Sequence, residues 1–166
     1  MQVLRRLFSV LPLLAALSCL SCSKHFVPNT DVEDSPFNRK VIEFCEEYRR
    51  AVERRNVGLL YKLADKRYYE DGGNVDPTDD LNYEGLKDYL VQRFRSTQAI
   101  RYEIRYRRVG RGRNDEIYVD YTYSASYKMI AKDSDGKDTE VWRRSVADNR
   151  LELATKGDTF RILAGM

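Results

Sequence analysis

Apolar positions recur first at helical spacing and later at alternate residues, and this change of period divides the chain. Ser35-Pro36 predicts a helix start, with a capping hydroxyl followed by proline at the first helical position. Val41, Cys45, Tyr48 and Val52 then follow one helical face, widened by Phe44 and Ala51. Asn56 predicts the cap of a second helix carrying Leu59, Leu60 and Leu63, which runs out near Tyr68-Tyr69 before Asp71-Gly72-Gly73. After a polar loop containing Pro77, Asn82 predicts the cap of a third helix with Leu86, Tyr89, Leu90 and Phe94 inward.

From Ile100 the period is two. Ile100, Tyr102, Ile104 and Tyr106 alternate with Arg101, Glu103, Arg105 and Arg107, and a turn follows over Gly110 to Asn114. Ile117, Val119, Tyr121, Tyr123, Ala125 and Tyr127 form a second alternating run. Asp135-Gly136 predicts a hairpin into a strand around Val141-Trp142. Leu151 and Leu153 predict another strand, and Phe160, Ile162 and Ala164 a last one after the Gly157-Asp158 turn. Helices followed by an antiparallel meander predict an α+β domain over residues 37–166, a length that buries a sizeable core.

The segment ahead of this domain is different. Arg5 and Arg6 precede an apolar run from Leu7 to Leu17, which meets small residues and the cysteines Cys19 and Cys22. A charged start, a short apolar core and a small-residue exit predict a signal peptide over residues 1–22. Pro12 within the run argues against a core helix. The run is also too short to span about 30 Å of hydrocarbon as a permanent helix. Ala15-Ala16-Leu17-Ser18-Cys19 resembles the signal of bacterial lipoproteins, in which such a cysteine is acylated. That resemblance implies lipidation at Cys19, with Cys22 the alternative. Neither candidate is followed by the aspartate that resembles an inner-membrane retention signal, which implies an outer membrane site facing the periplasm if the source is Gram-negative. Ser23 to Pro36, polar and with two prolines, is expected to be a tether.

The formal net charge of +3 includes both leader arginines, so the exported protein is nearly neutral and bulk charge identifies no partner. The only histidine, His25, falls in the expected tether, which argues against a ligand or catalytic role. Cys45 is the only cysteine beyond the leader, so it reads as a buried thiol rather than part of a disulfide framework.

The order of elements resembles the nuclear transport factor 2-like superfamily, which includes the SnoaL-like polyketide cyclases and the ketosteroid isomerases. The carriers are Arg54-Arg55-Asn56, Tyr68-Tyr69-Glu70-Asp71-Gly72, Tyr83-Glu84-Gly85-Leu86, Asp148-Asn149-Arg150-Leu151-Glu152-Leu153 and Phe160-Arg161-Ile162-Leu163-Ala164-Gly165-Met166. The resemblance implies three helices packed on a strongly curved sheet, forming a cone with a pocket at its open end. It also implies a dimer surface on the outer sheet face.

Enzymes of that superfamily use pocket carboxylates, sometimes with a histidine or tyrosine, and such a base needs a tuned pKa in a dry site. Here no complete catalytic set stands out. Asp148 and Asp71 are the candidate bases of a hydrolase, isomerase or cyclase, while turn chemistry is the plainer role for Asp148. Asp120 is expected opposite the core face. Tyr69, Tyr102, Tyr121, Tyr123 and Trp142 are the candidate walls of a ligand pocket, or simply core. The arginines from Arg101 to Arg113 alternate with Glu103 as a solvated face would, and export excludes nucleic acid. Their functional version is a weak attraction to anionic lipid head groups. Asp133-Ser134-Asp135-Gly136-Lys137-Asp138 lacks the glycine and glutamate positions of a calcium loop, so no metal is expected. No zinc, redox or phosphate-loop motif is present, and no cofactor is expected. The expected protein is a lipid-anchored envelope domain that binds a small amphiphile, an envelope protein or a second copy, without catalysis. The competing expectations are a small carboxylate enzyme and a scaffold whose cone is plugged by its own tyrosines.

Overall fold

The computed structural model describes residues 25–72, 78 and 80–166. The leader, both candidate acylation cysteines and Pro77 lie outside the described residues.

The three helices form where their caps stand. Ser35 caps Pro36–Glu53 (α1), its hydroxyl accepting from the Asn38 N–H at 3.1 Å. Asn56 caps Val57–Leu63 (α2) through the Leu59 N–H, and Asn82 caps Tyr83–Arg95 (α3) through the Gly85 N–H. Between α2 and α3, Tyr69–Glu70 (β1) pairs with Leu81–Asn82 (β2). The main sheet is an antiparallel meander of Thr97–Arg111 (β3), Ile117–Lys132 (β4), Asp138–Lys156 (β5) and Thr159–Ala164 (β6), in that order.

Helix and sheet cores meet as the periods require. Val41, Cys45, Tyr48 and Ala51 of α1 are buried with Leu60, Leu86 and Leu90 against Tyr102, Tyr106, Ile117, Val119, Tyr121, Leu151, Leu153 and Ile162. Cys45 is fully enclosed, and this burial pushes its thiol pKa well up, so it packs as a small hydrophobe. No helix among the described residues is long and apolar enough to cross a membrane.

Three local expectations change. The strands expected around Val141-Trp142 and Leu151-Leu153 are one strand, because β4 pairs with β5 continuously from Ile117↔Leu153 to Lys132↔Asp138. The polar stretch between them imitates a loop because its side chains meet solvent, while its backbone is satisfied by β4. The register also slips between Tyr106 and Arg108, a bulge that lets Tyr106 and Val109 both face the helices while Arg107 and Arg108 face outward.

The third change concerns residues 25–35, which are a folded strap rather than a free tether. Phe26 bridges Glu33, the Asp31 N–H donates to the Tyr106 carbonyl at 2.9 Å, and Val32 is 2% exposed. Asp31 lies between Arg105 and Arg107, each at 2.8 Å. Hydrogen bonds from these guanidiniums hold its carboxyl at about 2, below the usual 3.8. A lowered folded-state pKa gives a contribution that is complete above the unfolded value and lost as pH falls through the folded one. The strap is therefore expected to loosen between about pH 4 and pH 2, read as accelerated hydrogen exchange at the Asp31 amide, and Asp31→Asn should remove that pH dependence.

Candidate functional site

A cavity of about 430 Å³ lies between the helices and the inner sheet face. Leu60, Leu90, Phe94, Ile100, Ala125 and Met129 supply apolar wall, and Tyr48, Tyr102, Tyr123, Asn149 and Met166 also line it. Of the lining residues exposed to solvent, Tyr89, Arg93 and Ser96 place an opening at the C-terminal end of α3, while Asn149 is exposed on β5. Arg93 leans on Tyr89, its guanidinium carbon 5.8 Å from the ring centroid, and is a positive group at this opening.

The deep end is phenolic. Tyr48 from α1, Tyr102 from β3 and Tyr121 from β4 bring their hydroxyls together, close enough for each phenol to influence its neighbours' ionisation. The Asn149 amide donates to the Tyr121 hydroxyl at 3.1 Å and to the Gly165 carbonyl at 3.3 Å. The Tyr102 ring meets Tyr48 edge-on at 6.4 Å and lies 5.6 Å from Tyr123. Burial raises the pKa of Tyr48, Tyr102 and Tyr121, with neighbouring phenols adding to the rise at Tyr48 and Tyr121. All three therefore stay protonated at neutral pH and remain neutral donors. No Asp, Glu or His side chain lines the cavity among the described residues, and no group of three metal-ligating side chains comes together there.

The sequence candidates separate. Tyr102 and Tyr123 line the cavity, while Tyr121 stands behind it in the hydroxyl network. Tyr69 is exposed on β1 with its hydroxyl donating to Asp80, away from the cavity. Trp142 and Asp148 do not face the interior, because Leu151, Leu153 and Asn149 share the inner phase of β5 and the even positions point outward. Asp148 instead accepts from the Thr122 hydroxyl at 2.6 Å, and Thr122 accepts from Arg107. Asp71, exposed after β1, does not line the cavity. Asp120 lies on the outer face as expected, bridging Arg108 and Arg150. Sequence reasoning missed Tyr48 and Asn149 as site residues. The signal for Asn149 was the two-residue step back from Leu153 and Leu151.

Asp133 to Asp138 form the expected turn, where the Asp133 carboxylate accepts the Asp135 and Lys137 N–H groups and Gly136 takes φ +77°.

No protein-family model matches the sequence, and no curated protein matches it. Solved structures do. A protein from Kribbella flavida, Kfla4162, is 15% identical over 77% of this chain and 86% of its own, with a TM-score of 0.60. A candidate scytalone dehydratase from Novosphingobium aromaticivorans is 8% identical over 78% and 80%, with a TM-score of 0.58. A nuclear transport factor 2-like superfamily protein from Salmonella enterica serovar Typhimurium is 7% identical over 76% and 86%, with a TM-score of 0.56. At these identities the likeness shows the fold: three helices on a curved antiparallel sheet, the nuclear transport factor 2-like cone.

Proposed function

We propose that this chain is a lipid-anchored domain of the cell envelope whose cavity holds a small amphiphile without turning it over. The observation that carries the binding reading is the cavity itself, with apolar walls, neutral hydroxyl donors at its deep end and Arg93 at its opening. Such a gradient suits an amphiphile whose apolar body lies along Leu90, Ile100 and Met129 and whose acidic end meets Arg93. A buried anion among the tyrosines would lack a counter-charge, so the inner end of the ligand is an uncharged acceptor. The anchoring half rests on the leader, with acylation at Cys19 placing the domain at the outer membrane, facing the periplasm. An envelope protein or a second copy on the outer sheet face is a further partner of this reading.

The competing reading is a SnoaL-like hydrolase, isomerase or cyclase, and the dehydratase description of one structural neighbour gives it some weight. Such chemistry needs a base within hydrogen-bond reach of the substrate. Asp71 and Asp148 both lie off the apolar cavity; Asp148 lines instead a polar hollow with Asp120 and Asn149, where Thr122 already donates to it and Arg107 and Arg150 neighbour it, which favours binding over turnover in the apolar cavity.

Ala125 faces the cavity from β4, so Ala125→Phe should fill it. Titration of the full-length protein in mild detergent with a fluorescent fatty acid should show binding at least about tenfold weaker in this variant, with the melting temperature retained. Undiminished binding would remove the cavity from the account, and a robust turnover abolished by Asp148→Asn would replace it with an enzyme.

A further inference from the structure

The outer face of the sheet is ruled into rows by the strand register. Arg101, Ser126 and Arg144 form one row across β3, β4 and β5, and Glu103, Ser124 and Val146 form the next. Strand spacing places the Arg101 and Arg144 backbones about 10 Å apart, on either side of a small hydroxyl residue. Trp142, 50% exposed, stands beside this row with the Arg101 guanidinium carbon 5.2 Å from its ring centroid. Arg144 reaches the Ser124 hydroxyl at 3.5 Å.

These two arginines differ from the others on the same face. Arg105 and Arg107 are matched by Asp31, Arg108 and Arg150 by Asp120, and Lys128 by Glu140. Among the described residues, Arg101 and Arg144 have no carboxylate partner, and Glu103 in the adjoining row pairs with neither. The two forks lean to opposite sides of the row, Arg101 onto Trp142 and Arg144 onto Ser124, and without acids to hold them both long side chains are free to turn onto an oxyanion bound over Ser126. Ser124 and Ser126 put small side chains on the central strand between the longer ones of β3 and β5, and a half-exposed indole offers an apolar surface beside them.

We infer that this row binds an acidic glycan, with a sugar carboxylate or phosphate between Arg101 and Arg144 and a neighbouring sugar ring against Trp142. The apolar C–H face of a pyranose packs on an aromatic ring, while its hydroxyls suit the serine column. A second copy fits this row less well, because a two-fold pairing centred on it would oppose guanidinium to guanidinium. The site is separate from the cavity and stands whether or not the cavity is occupied.

Trp142 is the only tryptophan in the chain, so its emission reports on this patch alone. Full-length protein in mild detergent is titrated with oligogalacturonate, neutral dextran and inorganic phosphate at matched concentrations. Oligogalacturonate should change the emission saturably, with binding weakened by salt and by at least about tenfold in the Arg101→Gln/Arg144→Gln double variant. Should that variant melt early, Arg101→Lys keeps the charge and removes the fork, and weaker binding at an unchanged melting temperature would support the same site. The inference is overturned by equal responses to dextran, by phosphate alone giving the same saturation, by undiminished binding in the variants, or by no response at all. Emission that depends on protein concentration without glycan would assign the face to self-association instead.

Discussion

Replacing Gly165 by alanine is expected to destabilise the protein by about 3 kcal/mol and to lower its melting temperature by about 10 °C. Gly165 is buried at φ +92°, a backbone region that side chains rarely enter. A Cβ there would stand 1.9 Å from the Arg150 carbonyl oxygen and 3.2 Å from the Leu151 Cα. Both are backbone atoms of β5 beside the fully buried Leu151, so neither yields without disturbing the strand. The Gly165 N–H also donates to Glu70 at 2.6 Å, and its carbonyl accepts from Asn149. Gly136→Ala separates the two costs: its φ is +77°, but nothing lies within 4 Å of the added Cβ. There the conformational cost alone should appear, about 1 kcal/mol. Thermal melts giving the two variants the same small loss would show that the close approach at Gly165 relaxes freely. Because Met166 lines the cavity, Gly165→Ala should also weaken amphiphile binding.

Cys19→Ala is expected to abolish incorporation of a fatty-acid analogue and to release the protein from membranes, whereas Cys22→Ala should leave both intact. Each buried methylene of an acyl chain contributes about 0.8 kcal/mol to membrane affinity, so losing several chains removes the anchor by many orders of magnitude. The folded strap adds a geometric consequence. Only five residues lie between Cys19 and His25, where the described structure begins, and the six fully extended steps span about 20 Å. An acylated domain would therefore sit close to the bilayer, with its strap end nearest the surface. Labelling that persists in Cys19→Ala and vanishes in Cys22→Ala would move the acyl group to Cys22. No labelling of the unsubstituted protein would remove the anchor altogether, leaving the cavity and the outer-face row as independent matters.

The helices were legible because their determinants are local. Ser35, Asn56 and Asn82 each cap the helix that follows them within three residues, and the stripe of Val41, Cys45 and Tyr48 is the face that α1 buries. The inner phase from Ile117 to Tyr127 was equally readable, since an apolar face alternating with polar residues allows one orientation against a core. The strap was not legible. A polar segment with two prolines looks like a tether, and what holds it down lies more than 70 residues away: Arg105 and Arg107 on the Asp31 carboxylate and the Tyr106 carbonyl on the Asp31 N–H, with Val32 buried in the core.

For the candidate site, the sequence by itself determined the residue types, the α+β order and the inward tyrosines of β3 and β4, because these follow from composition and a two-residue period. Tertiary structure decided which of them converge. Tyr48 joins Tyr102 and Tyr121 only because α1 packs across the sheet, and Asn149 joins them only because β5 is continuous with Leu151 and Leu153 in phase. The same phase carries Asp148 and Trp142 to the outer face, away from the cavity expected of them. A strand side chain's face is set by its parity relative to the buried residues of that strand. In β5 that parity became visible only when pairing with β4 joined what had read as two strands into one.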